Sequence, residues 1–217
     1  MALGMENLKE LLAKECNYRF SMDTPVMEKF IASMTEIRLR SGELLTLCGQ
    51  MDANIYVVRS GIMRLTYFDD LKEKTFAFGT PGTLLAQLPC YYMHRPSFFQ
   101  SEACTNAVVM KVSKDRFDSL LAESAELTQW FLDRALDQLC GLEMRLDRFN
   151  GMAGERYAAM VKVMPEVVGS VSSKIIASYL GITPAYLSQI KKKYAIRVEK
   201  NEGEVGPFAS HSVKSTK

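Results

Sequence analysis

Between Ser172 and Tyr194 apolar residues recur at helical spacing on either side of Gly181, a pattern with few structural solutions. Ile175, Ile176, Ala177 and Leu180 form one inward stripe, and Leu187, Ile190 and Tyr194 form the next. Gly181 tolerates the left-handed turn between them. Thr183 is placed to cap the second helix, and Pro184 falls in its first turn, where the missing N–H is harmless. The expected unit is a helix-turn-helix. Ala185, Ser188, Gln189 and Lys192 then share one outward face, flanked by Lys191 and Lys193. A small polar face with a basic end fits a DNA major groove. Ser172, Ser173, Thr183 and Tyr186 complete the candidate DNA-contacting set.

Charge is gathered at the same end. From Val171 to Lys217 the chain carries 8 Lys/Arg against 3 Asp/Glu, a local charge of +5, whereas the first 170 residues are −3 and the whole chain is only +2. Positive charge concentrated in one terminal module is what phosphate neutralisation requires.

The 217 residues, 47% hydrophobic, suffice for one large domain or two smaller ones. No run of about 18 apolar residues and no signal segment is present, so a cytoplasmic protein without a membrane partner is expected. Cys16, Cys48, Cys90, Cys104 and Cys140 are scattered without a C-x-x-C pair, which argues against a disulfide framework or a metal site. Only His94 and His211 supply imidazoles, and no nucleophile elbow, phosphate-binding loop or HExxH appears. Catalytic residues and cofactors are therefore not expected, and the chain does not read as an enzyme.

Upstream, Glu6 to Glu15 and Pro25 to Met34 read as short amphipathic helices. Seven strands are expected next: Thr35 to Arg40, Glu43 to Leu47, Asn54 to Arg59, Ile62 to Phe68, Glu73 to Phe78, Phe98 to Ala103 and Ala107 to Val112. Their spacing points to a roll or barrel. Helices return at Lys114 to Glu123 and Ala125 to Phe149. In the second, Leu132, Ala135, Leu139, Leu142, Leu146 and Phe149 step by alternating threes and fours, a heptad seam about 27 Å long that calls for a partner helix. Trp130, Phe131 and Leu136, on another side, are expected to pack on the chain's own β-domain. Gly151 and Gly154 mark a hinge, followed by a helix from Glu155 to Met164 that Pro165 stops.

This order of elements resembles the Crp/Fnr family of transcription regulators, in particular its Bacteroidetes-type members. The most specific strings are Glu155-Arg-Tyr157 followed by Pro165, and Ile176-Ala-Ser-Tyr-Leu-Gly-Ile-Thr-Pro184 leading to Leu187-Ser188. Gly42, Gly49, Ser60-Gly61 and Pro81-Gly82 fall where a cyclic-nucleotide-binding roll turns. The resemblance implies an α+β chain in three parts. Residues 1–123 would form a double-stranded β-helix of jelly-roll type that acts as sensor, 124–150 a dimerisation helix, and 151–217 a winged helix-turn-helix. It further implies a homodimer that regulates transcription on double-stranded DNA, with half-sites about 34 Å apart and RNA polymerase as a further partner.

The effector pocket implied by the resemblance holds Gly82, Leu85, Ala86, Gln87, Arg95 and Ser97. In cyclic-AMP-binding relatives a Gly-Glu pair holds the ribose and an Arg-Ser/Thr-Ala string neutralises the phosphate. This chain has Ala86-Gln87 and Ser97-Phe98-Phe99 instead. A buried phosphate without a cationic partner is costly, so a response to cyclic AMP in the usual manner is not expected. Arg95 and Gln87 are the residues through which a nucleotide could still be held. In the recognition helix, Ala185 suits a thymine methyl and Gln189 suits adenine, favouring A·T-rich half-sites. The rival reading keeps the sensor but gives it a protein partner, with the terminal helices as docking surface.

Overall fold

Strand pairing in the computed structural model, which describes residues 8–13, 24–149 and 151–201, yields two four-stranded antiparallel sheets. Side chains are described for all of these except 144–149 and 196–201. One sheet runs β1 (Thr35–Leu39), β8 (Ala107–Val112), β3 (Ile55–Ser60), β6 (Leu84–Ala86). The other runs β2 (Leu44–Thr46), β7 (Gln100–Ala103), β4 (Met63–Asp69), β5 (Lys72–Gly79). Tyr56, Val58, Met63, Leu85, Ala103 and Val109 pack between the sheets and are all buried.

The expected strands are all present within a residue or two of their expected ends. The short strand β6 and the helix α3 (Leu88–Met93) that follows it were not expected. Leu84-Leu85-Ala86 is too short to show a period, and Pro89 hid the helix, although proline sits well in a first turn. At Gly61 (φ +81°) an added Cβ would lie 2.3 Å from the Asn106 carbonyl oxygen, so the β3–β4 turn requires glycine. The β4–β5 hairpin closes instead through Asp70 and Leu71, both left-handed, with Leu71 96% exposed.

Helix α1 (residues 8–13), α2 (Pro25–Ala32), α4 (Lys114–Glu123) and the start of α5 (Ala125–Phe149) cover one end of the roll. Glu6 and Glu15, the expected limits of α1, lie outside the described residues. Phe30 stacks against Phe117 at 5.3 Å and Trp130 at 5.6 Å, and Leu8, Leu12 and Leu127 close this core. Phe131 joins it edge-on to Phe117 at 5.0 Å.

Leu136 does not. It is 51% exposed, together with Leu132, Leu139 and Leu142, so the expectation that it packs on the roll is corrected. At 3.6 residues per turn position 136 falls on the far side of α5 from Leu127 and Arg134, both buried, and from Gln138, which donates to the Leu84 carbonyl at 2.9 Å. Ala135 is half-buried, and the side chains of Leu146 and Phe149 lie outside the described set.

Beyond α5 come α6 (Ala153–Val163), α7 (Pro165–Ser170), α8 (Ser173–Tyr179) and α9 (Pro184–Asn201). Pro165 opens α7 rather than only stopping α6, again as a first-turn proline. Among the described residues from 151 onward there is no strand, and any wing would fall in 202–217, outside the described residues.

Candidate nucleic-acid interface and ligand cavity

Local chemistry builds the helix-turn-helix as its sequence pattern requires. The Ser172 hydroxyl accepts from the Ile175 N–H at 3.4 Å, and the Thr183 hydroxyl accepts from the Tyr186 N–H at 3.2 Å, capping α8 and α9. Gly181 sits at φ +66°, which lets the Ile182 N–H reach the Ala177 carbonyl at 3.0 Å. Ile176, Ala177, Leu180, Leu187 and Ile190 are buried together with Val167 of α7 and Tyr157 of α6. Tyr157 meets Tyr194 edge-on at 5.5 Å.

With its apolar side spent, α9 presents Ala185, Tyr186, Ser188, Gln189, Lys192 and Lys193 to solvent, and Ser172, Ser173 and Thr183 are exposed beside them. Lys191 is different. It is half-buried and its Nζ donates to the Ser173 hydroxyl at 2.9 Å, tying α9 to the start of α8. The sequence put all three lysines on one footing; the register of α8 against α9 separates them.

The module is not held by α5 alone. Strand β5 is a sheet edge, and a bulge at Phe76 frees the Thr75 N–H, which donates to the Ser178 hydroxyl of α8 at 2.9 Å. Phe78 packs on Tyr179 at 5.0 Å, and Ile62, Phe78 and Cys104 of the roll join the module's own core. Beneath this contact Arg64, buried, pairs with Glu73 at 2.6 Å and Glu102 at 2.7 Å. Burial works against the Arg64 charge, but Glu102 and Glu73 outweigh it and hold the guanidinium above its ordinary range. Sequence reasoning missed this docking, because neither Ser178 nor Thr75 carries a pattern that points to the other.

The expected effector residues divide. Leu85, Ala86 and Gln87 line a cavity of about 460 Å³. Gly82 is buried in the turn before β6, donating to the Val58 carbonyl at 2.8 Å, and lies outside the lining. Arg95 is exposed on the loop after α3 and does not reach the cavity, and Ser97 is buried behind it. Gln87 is committed to the roll. Its amide nitrogen donates to the Thr46 hydroxyl at 2.9 Å and the Phe99 carbonyl at 3.4 Å, and its carbonyl oxygen accepts from the Ser97 hydroxyl. Of the two residues through which a nucleotide could still be held, Arg95 stands outside the cavity and Gln87 is bonded within the roll. No side chain that the roll contributes to the lining is charged. His94 is exposed and ends α3 in a left-handed conformation.

The model of the family described as "Cyclic nucleotide-binding domain" matches residues 36–124, the span of the roll and α4. Among solved structures, FixK2 from Bradyrhizobium japonicum is similar with a TM-score of 0.63 at 19% identity, over 82% of this chain and 89% of that one. A CooA mutant from Carboxydothermus hydrogenoformans gives 0.64 at 16% identity over 82% and 87%, and the catabolite activator protein of Thermus thermophilus gives 0.51 at 16% over 85% and 88%. No curated protein matches the chain by sequence. The similarity covers 82–85% of this chain, well beyond the roll, so the chain shares the overall fold of these proteins. Among the described residues no helix is long and apolar enough to cross a membrane, and no cluster of His, Cys, Asp and Glu could hold a metal ion.

Proposed function

We propose that the chain is a homodimeric transcription regulator that binds double-stranded DNA through α9 and does not take cyclic AMP in the usual manner. One observation carries the reading: Leu187 and Ile190 of α9 are buried in the module and Tyr194 is half-buried, while Thr183, Ser188, Gln189, Lys192 and Lys193 stand uncovered. An uncovered polar face ending in two lysines matches base edges and phosphate. The uncovered Leu132, Leu136, Leu139 and Leu142 of α5 support a second copy of the chain as the partner that closes that helix. The fold shared with FixK2, CooA and the catabolite activator protein supports this reading, in which such a dimer acts on DNA in the cytoplasm.

Gln189 reads adenine and Ala185 meets the thymine methyl. Selection of binding sites from random duplexes is expected to return a near-palindrome with A·T-rich half-sites, and Gln189→Ala to relax the preference at one position by about 1–3 kcal/mol. A G·C-centred site indifferent to Gln189→Ala removes that readout. A dimer that ignores duplex DNA in dilute salt removes the regulator reading altogether.

A further inference from the structure

At the contact between β5 and α8, Thr75 is a junction. Its N–H donates to the Ser178 hydroxyl at 2.9 Å, and its own hydroxyl accepts from the Arg64 guanidinium at 3.3 Å. Arg64 in turn pairs with Glu73 of β5 and Glu102 of β7, so Ser178 is tied to three neighbouring strands of one sheet. Thr75 is 2% exposed and Arg64 is buried, which shields these bonds from competing water. One residue further along α8, Tyr179 packs on Phe78 at 5.0 Å. That apolar contact is non-directional and permits sliding, whereas a hydrogen bond to a buried N–H fixes an orientation.

What is held is more than α8. Ile176, Ala177 and Leu180 of α8 share one buried core with Leu187 and Ile190 of α9, and Lys191 bonds Ser173 across the two helices. A close-packed pair of this kind moves as one body, so fixing Ser178 fixes α9. The side chains offered to DNA, Ser172, Thr183, Ser188, Gln189 and Lys192 among them, remain exposed while Ser178 is bonded to the roll. In a dimer closed through α5, each α9 is then placed by its own roll. One base pair more or less between half-sites moves one of them by about 3.4 Å and turns it by about 35°, which two rigidly placed helices cannot both follow.

We propose that Ser178 is a positioning residue: through Thr75 it fixes the helix-turn-helix on the roll and so sets the half-site spacing that the dimer accepts. This role rests on the regulator reading proposed above. Removing the hydroxyl leaves the buried Thr75 N–H without its acceptor, which shifts the balance against the docked arrangement by about 5–150-fold.

The test measures the full chain on three duplexes: the selected near-palindrome, the same site with one base pair inserted at its centre, and an isolated half-site. The unaltered chain is expected to lose at least about tenfold in affinity on the insertion. Ser178→Ala is expected to lose less than about threefold on the same change, while binding the isolated half-site as the unaltered chain does. Ser178→Thr, which keeps the hydroxyl, is expected to restore the full loss. In the chain without DNA, exchange of the Thr75 amide hydrogen is expected to be slow, and to be faster in Ser178→Ala. An unaltered chain indifferent to the insertion overturns the proposal, as does a loss that Ser178→Ala leaves unchanged or that Ser178→Thr relaxes equally. Weaker binding of the isolated half-site by Ser178→Ala also overturns it, since Ser178 would then serve the module itself and not its placement. Fast Thr75 exchange in the unaltered chain overturns the docking whatever happens on DNA. A chain that binds no duplex overturns the regulator reading and the spacing role with it, and slow Thr75 exchange in that chain marks the failure as one of DNA binding and not of docking.

Discussion

Helices α5 and α9 are both amphipathic, both bury one side within their own chain, and both leave the other uncovered, yet what they leave uncovered is opposite. On α5 it is Leu132, Leu136, Leu139 and Leu142; on α9 it is Ser188, Gln189, Lys192 and Lys193. Water tolerates the second surface and disfavours the first. An uncovered leucine face is satisfied by another apolar face, in our proposal a second α5, whereas an uncovered face of amides, hydroxyls and ammonium groups suits a hydrated polyanion, in our proposal duplex DNA. The two helices thus specify two different partners through one rule.

The comparison breaks first at α5, whose two sides should differ sharply. Trp130→Ala is expected to cost about 3–5 kcal/mol in denaturant unfolding, because it empties the space between Phe30 and its neighbours. Leu136→Ala should cost less than about 1 kcal/mol in a monomeric background. Equal costs would mean that the leucine face is covered within the chain. Next, the double change Leu136→Glu with Leu139→Glu is expected to convert the dimer to monomer in sedimentation velocity while leaving the roll folded. A dimer that survives it puts the interface elsewhere.

On α9 the lysines should separate. Lys192→Gln or Lys193→Gln is expected to weaken all DNA sequences alike and lower the slope of log K against log salt by about one unit each. Lys191→Gln should lower it less, since its ammonium group is held by Ser173. Three equal slopes would show that this contact gives way on DNA.

A smaller effect should appear at the seam between roll and module. Burial pushes the Cys104 thiol up to about 12, against the pull of Arg64 and with a push from Glu102 and Glu73. An unfolded thiol ionises near pH 8.5, so above that the unfolded chain releases a proton that the folded chain keeps. Stability is therefore expected to be full below about pH 8.5 and to fall as pH rises toward 12. Thermal melts from pH 8 to 10.5 should show the fall, and Cys104→Ala should flatten part of it. Tyr56 and Tyr91, raised by burial and by the carboxylates of Asp52 and Asp118, and Tyr157, raised by burial, add to the fall above about pH 10.

Most of the strands, the two capped helices around Gly181 and the leucine spacing of α5 were legible in the chain, because each is written in neighbours two to four residues apart. Ser172, Thr183 and Pro184 act on the backbone within one helical turn, so their roles follow from position alone. Any wing would fall outside the described residues, the side chains of Leu146 and Phe149 lie outside the described set, and the short β6 is too brief to carry a period.

What only the tertiary structure decided are partnerships between distant residues. Gln87 meets Thr46 across 41 positions, and Ser178 meets Thr75 across 103. The first removes the amide that could have held a sugar, and the second brings the module against the roll and leaves an apolar space between them. Neither pairing has a local signature, because a polar side chain reads the same whether its partner is water or a backbone group that only the completed topology brings within reach.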